Sequence, residues 1–186
     1  MTDLPAITAL GGTMPADRRF GALRITENPD LALASLALRR GAAPPAPMGL
    51  ELPEPGRSIS RPDIAAFWTG PDQWMIEAPG RADEDLAAAL APHAQGCSLT
   101  DQTDAWVCFE IASEEGAKPI VALMEKLVNL DAPRFGAGNA TRTVMHHMSV
   151  FAVRRAEDRL AIIGMRSLAG ALWHALVQAL HRTAKS

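Results

Sequence analysis

Four of the histidines stand in pairs whose spacing bears on metal binding. His146 and His147 are adjacent, so in a strand their imidazoles would point to opposite faces, whereas two ligands from one strand lie at i and i+2. His174 and His181 are seven residues apart, about two turns of a helix, which is too far for both rings to reach one ion without a third element. The spacing predicts no metal site in this chain and favours structural roles for both pairs.

Cysteines and clustered acids are the next candidates for catalysis. Cys97 and Cys108 are the only cysteines, and each lies in an apolar, strand-like run without a neighbouring base, which is typical of a buried thiol rather than a nucleophile. The single pair in a chain without an apparent export signal favours reduced thiols over a disulfide. Asp101 and Asp104 are compatible with acid–base chemistry, but two acids flanking a short turn favour turn formation.

Cofactor-binding patterns are also missing from the sequence. Gly11-Gly12 and Gly136-Ala137-Gly138 have neither the spacing nor the strand-to-helix context of a phosphate-binding loop. Tryptophans fill cores most often, although they also line planar-ligand pockets and anchor interfaces. The four here are Trp68, Trp74, Trp106 and Trp173. The residues alone therefore predict no catalytic, cofactor-binding or metal site.

Composition narrows the class of protein. The 186-residue chain is long enough to bury its own core, and its formal charge of -3 offers no electrostatic footprint for nucleic acid. No apolar run approaches the roughly 18 to 20 residues of a membrane-spanning helix. The first ten residues lack a basic start and a long apolar core, so we expect no secretory signal and a cytoplasmic protein without nucleic-acid or membrane partners.

The first half of the chain is predicted to be strand-rich. Residues 1–30 mix Gly, Pro and Asn with few periodic apolar positions, which indicates an extended N-terminal arm, and residues 31–186 are expected to form one domain. Leu31 to Leu38 is predicted as a strand, and the proline-rich stretch 42–56 as a surface loop. The runs 64–68 and 73–78 flank Gly70-Pro71-Asp72 and predict an antiparallel hairpin.

The second half adds helices. We expect a helix capped by Asp83 and ending near Ala91, a second hairpin formed by 97–100 and 105–111, and a helix beginning near Pro119. Residues 140–154 and 160–164 are then predicted as two strands, and 168–181 as an amphipathic helix. This order predicts an α+β fold in which helices pack on one face of antiparallel sheet.

Several motifs carry a resemblance to a known family. Phe67-Trp68 followed by Gly70-Pro71-Asp72-Gln73-Trp74 resembles the "lWlGPDEWL" element of the gamma subunit of heterotetrameric sarcosine oxidase. Supporting landmarks follow in the family's order between residues 31 and 180: Leu38-Arg39-Arg40-Gly41, Asp101 to Asp104, Leu127 to Asp131, Arg166-Ser167 and Leu172-Trp173 with Leu176. The family's Glu is Gln73 here and no landmark lies in the first thirty residues, so neither a role for that acid nor the arm carries over.

The resemblance implies a fold like the folate-binding module of aminomethyltransferase, the glycine-cleavage T-protein. It implies an accessory, non-catalytic subunit of a complex with alpha, beta and delta chains. That complex oxidatively demethylates sarcosine to glycine, delivers the one-carbon unit to tetrahydrofolate and produces hydrogen peroxide. FAD, FMN, NAD and tetrahydrofolate would be bound by the partner subunits and no cofactor by this chain. The isolated chain would then expose an apolar patch and self-associate.

Two alternatives remain open. The chain could be a stand-alone folate-binding or one-carbon transfer module, in which Asp101 or Glu110 holds the pterin and tryptophans stack on it. It could also be a subunit of a related N-methyl amino-acid dehydrogenase, because the same family pattern covers those complexes.

Overall fold

The strands of the protein lie in two antiparallel sheets. The computed structural model describes residues 6–185. The strands of this range, in chain order, are β1 (Asp17–Phe20), β2 (Leu23–Asn28), β3 (Leu31–Leu38), β4 (Ser58–Ser60), β5 (Ala65–Gly70), β6 (Gln73–Pro79), β7 (Cys97–Asp101), β8 (Trp106–Ser113), β9 (Ala140–Met145), β10 (Met148–Ala156) and β11 (Arg159–Met165). One sheet has the order β1-β2-β8-β11-β10-β9 and the other β4-β5-β6-β3-β7.

Helices cover the outer faces of the two sheets. They are α1 (Leu86–Leu90), α2 (Ala117–Leu127) and α3 (Ala169–Thr183). The apolar stripes of α2 and α3 share a core with one face of the six-stranded sheet, and α1 lies on the outer face of the five-stranded sheet. The predicted α+β class with antiparallel sheets is confirmed. Within residues 6–185, no helix combines the length and the apolar character that crossing a bilayer requires.

The inner faces of the two sheets pack against each other. In β3, Leu31 and Leu33 face the layer between the sheets, whereas Ala32 and Ala34 face the core under α1. Because a strand in the middle of such a sandwich is buried on both faces, its sequence LALASLAL is apolar at every position except Ser35 and does not alternate.

Part of the predicted N-terminal arm, residues 1–30, belongs to a sheet. Residues 17–28 form β1 and β2, which pair with each other, and β2 also pairs with β8 inside the six-stranded sheet. The sequence signal is weak because β1 is an exposed edge strand and because Glu27 occupies the third inward position of β2, after Leu23 and Ile25. Residues 1–5 of the predicted arm lie outside the described residues, and the division into an arm and a domain stays a prediction.

The predicted second hairpin is wrong, although both of its strands exist. β7 pairs with β3 in the five-stranded sheet, and β8 pairs with β2 and β11 in the six-stranded sheet. The intervening residues Thr103–Ala105 form a short 3₁₀ helix that carries the chain from one sheet to the other. Local turn residues signal that the chain changes direction, but they do not specify the partner of each strand.

The predicted strand over residues 140–154 is also wrong, because it is two strands. β9 and β10 form a hairpin whose turn is His146-His147, and both residues have positive φ (45° and 68°). Positive φ at both central residues is the requirement of a type I′ turn, which matches the twist of the flanking strands. The two imidazoles therefore sit in a turn and not on opposite faces of a strand.

Two smaller features differ from expectation. Helix α1 is capped by Asp85, whose Oδ1 accepts a 2.9 Å hydrogen bond from the Ala88 N–H, and not by Asp83. The proline-rich stretch 42–56 is not only surface loop, because Leu50 is fully buried beside α1 and the carbonyl of Pro53 accepts a bond from the indole of Trp74. The hairpin β5–β6 and the α2 and α3 segments form as predicted.

Candidate functional site

A cavity of about 430 Å³ lies where the chain crosses twice between the sheets. The β2–β3 connection consists of Pro29 and Asp30, and the β7–β8 connection passes through the Thr103–Ala105 helix. Residues from both connections line the cavity, and the segment 6–15 contributes further lining. A volume of this size falls in the range of small-molecule sites, roughly 300 to 1,000 Å³.

Glu27 is the buried acid of this cavity. Its side chain lies at the end of β2, only 2% of the residue is exposed, and its two carboxylate oxygens accept hydrogen bonds from the backbone N–H groups of Leu10 (3.1 Å) and Ala16 (3.2 Å). Among residues 6–185, no cationic side chain forms an ion pair with it. Glu27 thus anchors the N-terminal segment while its negative charge has no opposing side chain in the described part.

Thr8 and Arg166 are two further polar residues that line the cavity. The hydroxyl of Thr8 is buried without a hydrogen-bond partner among the described residues. Arg166 is half-buried and donates a long 3.5 Å bond to the carbonyl of Ile7.

A shallower groove continues from the cavity over the protein surface. Ile7 and Met165 line it, and both are largely exposed apolar side chains (58% and 49%). Leu168, at the start of the predicted amphipathic helix 168–181, is 38% exposed and lies three residues after Met165 in the sequence. Large exposed apolar side chains that share one groove are typical of contact surfaces.

The two acids considered as pterin ligands have other roles. Asp101 forms turn structure, because its Oδ1 accepts the N–H of Thr103 at 3.0 Å. Glu110 accepts two hydrogen bonds from the Nε of Arg155, at 3.0 and 3.1 Å. Neither acid is among the residues that line the cavity, whereas Asp104 is.

Arg155 links the two sheets through a buried ion-pair network. Its Nη1 and Nη2 each donate a 2.9 Å bond to the carboxylate of Glu77, whose side chain is 2% exposed, while its Nε contacts Glu110. Burial alone would lower the pKa of Arg155, but the carboxylates of Glu77 and Glu110 together raise that pKa above its usual value. The network holds β10 of one sheet to β6 of the other.

The cysteines lie in environments that disfavour the thiolate. Cys97 and Cys108 are free and buried, in β7 and β8 respectively. Burial raises the pKa of the Cys97 thiol, and burial together with the Glu110 charge raises that of Cys108 well above the ordinary value. The expectation that no residue of this chain is catalytic stays a prediction.

Histidines and tryptophans do not converge on one site. His174 contacts Gln178, and the ring of His181 contacts Phe20. Within residues 6–185, no group of three or more His, Cys, Asp and Glu side chains has the arrangement of a metal site. Trp74 belongs to the core under α1 and Trp173 packs on the helical core of the other sheet. Within the described residues, Trp106 is the one tryptophan that lines the cavity.

Glu27 and Thr8 are not among the residues that the sequence patterns indicated. The alternation Leu23, Ile25, Glu27 is a signal that an acid faces inward, but it is informative only once β2 is recognised as a strand. The unpartnered state of Thr8 depends on how segment 6–15 folds over the sheet ends, so no local pattern could have revealed it.

Comparison with known proteins identifies the fold. No protein-family model matches the sequence, and no curated protein matches it either. One chain of the heterotetrameric sarcosine oxidase from Corynebacterium sp. U-96, solved in complex with pyrrole 2-carboxylate, is similar with a TM-score of 0.74 and 19% identity. This match covers 90% of the present chain and 88% of that chain.

A second similar structure is the glycine cleavage system aminomethyltransferase T from Bartonella henselae. It matches with a TM-score of 0.59 and 13% identity over 84% of this chain, which corresponds to 46% of the aminomethyltransferase. The chain therefore spans about half of that protein. Together the two similarities define an α+β protein with an aminomethyltransferase-like fold, and they confirm the fold expected from the motifs.

Proposed function

We propose that the chain is the accessory gamma subunit of a heterotetrameric sarcosine oxidase, without a catalytic site of its own. The observation that carries the proposal is the similarity to one chain of such an enzyme over nearly the whole length of both chains. Since the match covers similar shares of each, the two chains have nearly equal length. The chain therefore corresponds to that whole subunit and not to one domain of a larger subunit.

The sequence landmarks support the same proposal independently. The Gly70-Pro71-Asp72-Gln73-Trp74 element forms the end of β5, the turn and the start of β6, and Asp72 has a positive φ of 57° in that turn. Trp74 then enters the core and its indole donates a 2.8 Å bond to the Pro53 carbonyl. The motif thus has a structural role, which is consistent with a subunit that contributes contacts rather than catalysis to its complex.

In this proposal the complex is cytoplasmic and contains alpha, beta and delta subunits. It converts sarcosine to glycine with tetrahydrofolate as one-carbon acceptor and hydrogen peroxide as product. FAD, FMN, NAD and the folate are held by the partner subunits. The groove that contains Ile7 and Met165 is the candidate contact surface on this chain.

Co-expression tests the proposal directly. The tagged chain is produced with the neighbouring open reading frames, purified by affinity, scanned for flavin absorbance and assayed for sarcosine-dependent peroxide formation. We expect a yellow, multi-chain complex that is active on sarcosine. A colourless chain that elutes alone would contradict the subunit assignment, and activity only on another N-methyl amino acid would favour the related dehydrogenases.

A stand-alone folate-binding module is the second candidate. The similarity to aminomethyltransferase and the presence of a cavity of ligand size favour it. The pterin would not be held by Asp101 or Glu110 as the sequence suggested, because Glu110 is paired with Arg155 and Asp101 belongs to a turn. Titration of the isolated chain with tetrahydrofolate, followed by Trp106 fluorescence in a variant that lacks the other tryptophans, would show saturable quenching if this alternative holds.

A further inference from the structure

The shallow groove beside the cavity is built by three segments that are distant in the sequence. Ile7 comes from the N-terminal segment 6–15, Asp104 from the β7–β8 connection and Met165 from the end of β11. We propose that this groove binds a segment of a partner subunit in which an apolar side chain stands next to a lysine or arginine, and that Glu27 positions the groove for it. The inference rests on the proposed subunit function.

Exposed apolar side chains are concentrated around this groove. Within residues 6–185, five large apolar side chains are exposed, and Ile7 and Met165 line the groove itself. Met14 and Leu168 belong to the same two stretches of chain. Covering such surface is favourable in proportion to the apolar area removed from water. A shallow groove encloses little of a small molecule, so a segment of another protein is the better occupant.

The charges beside the groove determine the polar half of the occupant. Asp30, Asp83 and Asp104 line the adjoining cavity with exposed side chains, and none of them forms an ion pair with another described residue. Asp104 also lines the groove, and Arg166 is the one basic residue in the lining of either space. This excess of unpaired carboxylates attracts a cationic side chain and repels an acidic one. A lysine or arginine next to the apolar residue therefore complements the surface.

Glu27 determines where the N-terminal wall of the groove lies. Its two carboxylate oxygens accept the N–H groups of Leu10 and Ala16, so one buried side chain fixes the segment at two points. Ile7 lies three residues before the first of these points. A surface that is ordered before binding loses less conformational entropy in the complex, so this anchor should increase affinity. Glu27 is buried beneath the segment and acts as a positioning residue rather than as a contact.

Amide hydrogen exchange of the isolated chain tests the anchor. Glu27→Gln replaces one acceptor oxygen by an amide donor, so it loses at least one of the two N–H bonds. We expect at least about tenfold faster exchange at Leu10 or Ala16, with the core amides of β11 unchanged. Glu157→Gln is the matched control, because its carboxylate accepts the N–H of Ala137 near the opposite end of β11. Unchanged exchange at Leu10 and Ala16 in Glu27→Gln overturns the positioning role.

The co-expressed complex tests the chemistry of the occupant. The double variant Asp30→Lys, Asp104→Lys should reduce the recovery of partner chains at least about tenfold, since like charges across an interface repel. Glu54→Lys, Glu125→Lys makes the same change at two exposed acids that line neither the cavity nor the groove, and it should co-purify normally. Circular dichroism checks that both double variants are folded.

Salt separates the positioning residue from the charged contacts. Partner retention is measured between about 0.05 and 0.5 M NaCl, a range over which exposed charges become screened. Asp30→Lys, Asp104→Lys should reduce the salt dependence of retention. Glu27→Gln should lower retention at every salt concentration and keep the wild-type dependence, because it changes the position of the segment and not an exposed charge. A salt dependence altered by Glu27→Gln to the same degree overturns this division of roles.

The result for the wild-type complex separates this inference from the subunit assignment. Slower amide exchange at Ile7 and Met165 in the wild-type complex than in the isolated chain supports the docking surface. A wild-type complex in which these amides exchange as in the isolated chain, or normal recovery of Asp30→Lys, Asp104→Lys, overturns the inference alone. A wild-type chain that elutes without partners overturns the subunit assignment and the inference with it. Self-association of the isolated chain that protects the same amides would make a second copy the occupant and overturn the partner segment.

Discussion

The side chain of Arg155 links the two sheets. Its guanidinium reaches Glu77 across the sandwich with two 2.9 Å bonds and Glu110 within its own sheet. Removing one partner of a buried ion pair leaves an uncompensated charge in the interior, and loss of this cation would leave the Glu77 carboxylate in that state. The stability of the sandwich therefore depends on this side chain far more than on the exposed ion pairs.

This dependence gives a prediction at the residue scale. Arg155→Met should lower the free energy of unfolding by roughly 3 to 5 kcal/mol, because it leaves Glu77 unpaired. The measurement is the midpoint and slope of urea unfolding followed by circular dichroism. The matched control is Arg24→Met, which removes an exposed ion pair with Asp17. Its urea midpoint should equal that of the wild type. A wild-type midpoint for Arg155→Met would refute the assigned role of the network.

At the scale of elements, α1 shows which of three neighbouring acids becomes the N-cap of a helix. Asp83, Glu84 and Asp85 all precede the helix, but only Asp85 is placed so that its carboxylate accepts the Ala88 N–H. Glu84 instead pairs with Arg81, and this hydrogen-bonded contact holds the pKa of Glu84 below its usual value. The partner of each acid depends on where the backbone enters the helix.

Of the two nearby aspartates, Asp83 and Asp85, only the replacement of Asp85 should therefore lower the stability of the protein. Asp85→Ala should cost about 1 kcal/mol, the usual loss when an N-cap side chain is removed. Asp83→Ala is the matched control and should have little effect, since Asp85 is the N-cap of α1. Thermal unfolding of both variants gives the comparison. An equal loss in the two would mean that charge near the helix start matters more than the cap.

The β9–β10 hairpin permits a stabilising change. His146 and His147 both adopt positive φ, a conformation that costs residues with a Cβ roughly 1 to 2 kcal/mol each and that Asn-Gly adopts readily. The double substitution His146→Asn, His147→Gly should raise the free energy of unfolding by about 1 kcal/mol. His93→Asn, in a 3₁₀ helix, is the control and should give no gain. An unchanged midpoint in the double variant would argue against the type I′ turn.

At the scale of the whole molecule, exposed apolar side chains are not distributed evenly. Ile7 and Met165 share one groove, whereas Val144 is exposed on the edge strand β9. A groove that joins residues far apart in the sequence exists only in the folded chain. If the proposed subunit assignment holds, this groove is the surface that a partner covers.

Charge substitutions test that surface in the co-expression system. The double variant Ile7→Asp, Met165→Asp should reduce the recovery of partner chains at least about tenfold, since burying a charge at an interface core is strongly unfavourable. Val144→Asp places the same charge on a comparably exposed side chain elsewhere and should co-purify normally. Loss of partners in Val144→Asp alone would move the interface to the β9 edge.

Sequence by itself determined the elements that rest on local or periodic signals. The β5–β6 hairpin follows from Gly70-Pro71-Asp72, and α2 and α3 follow from apolar residues at helical spacing, because both signals lie within a few residues of the structure they specify. The same motifs led to the aminomethyltransferase-like fold that the structural comparison supports.

Only the tertiary structure decided the partners of the strands and the site between the sheets. β7 and β8 are adjacent in sequence but belong to different sheets, and Glu27, Thr8 and Arg166 meet at one cavity from distant parts of the chain. Turn residues carry no information about which distant strand will complete a ladder, since pairing depends on burial of whole faces. For the same reason the cavity is defined only in the folded chain, where the N-terminal segment 6–15 lies against both sheet-to-sheet connections.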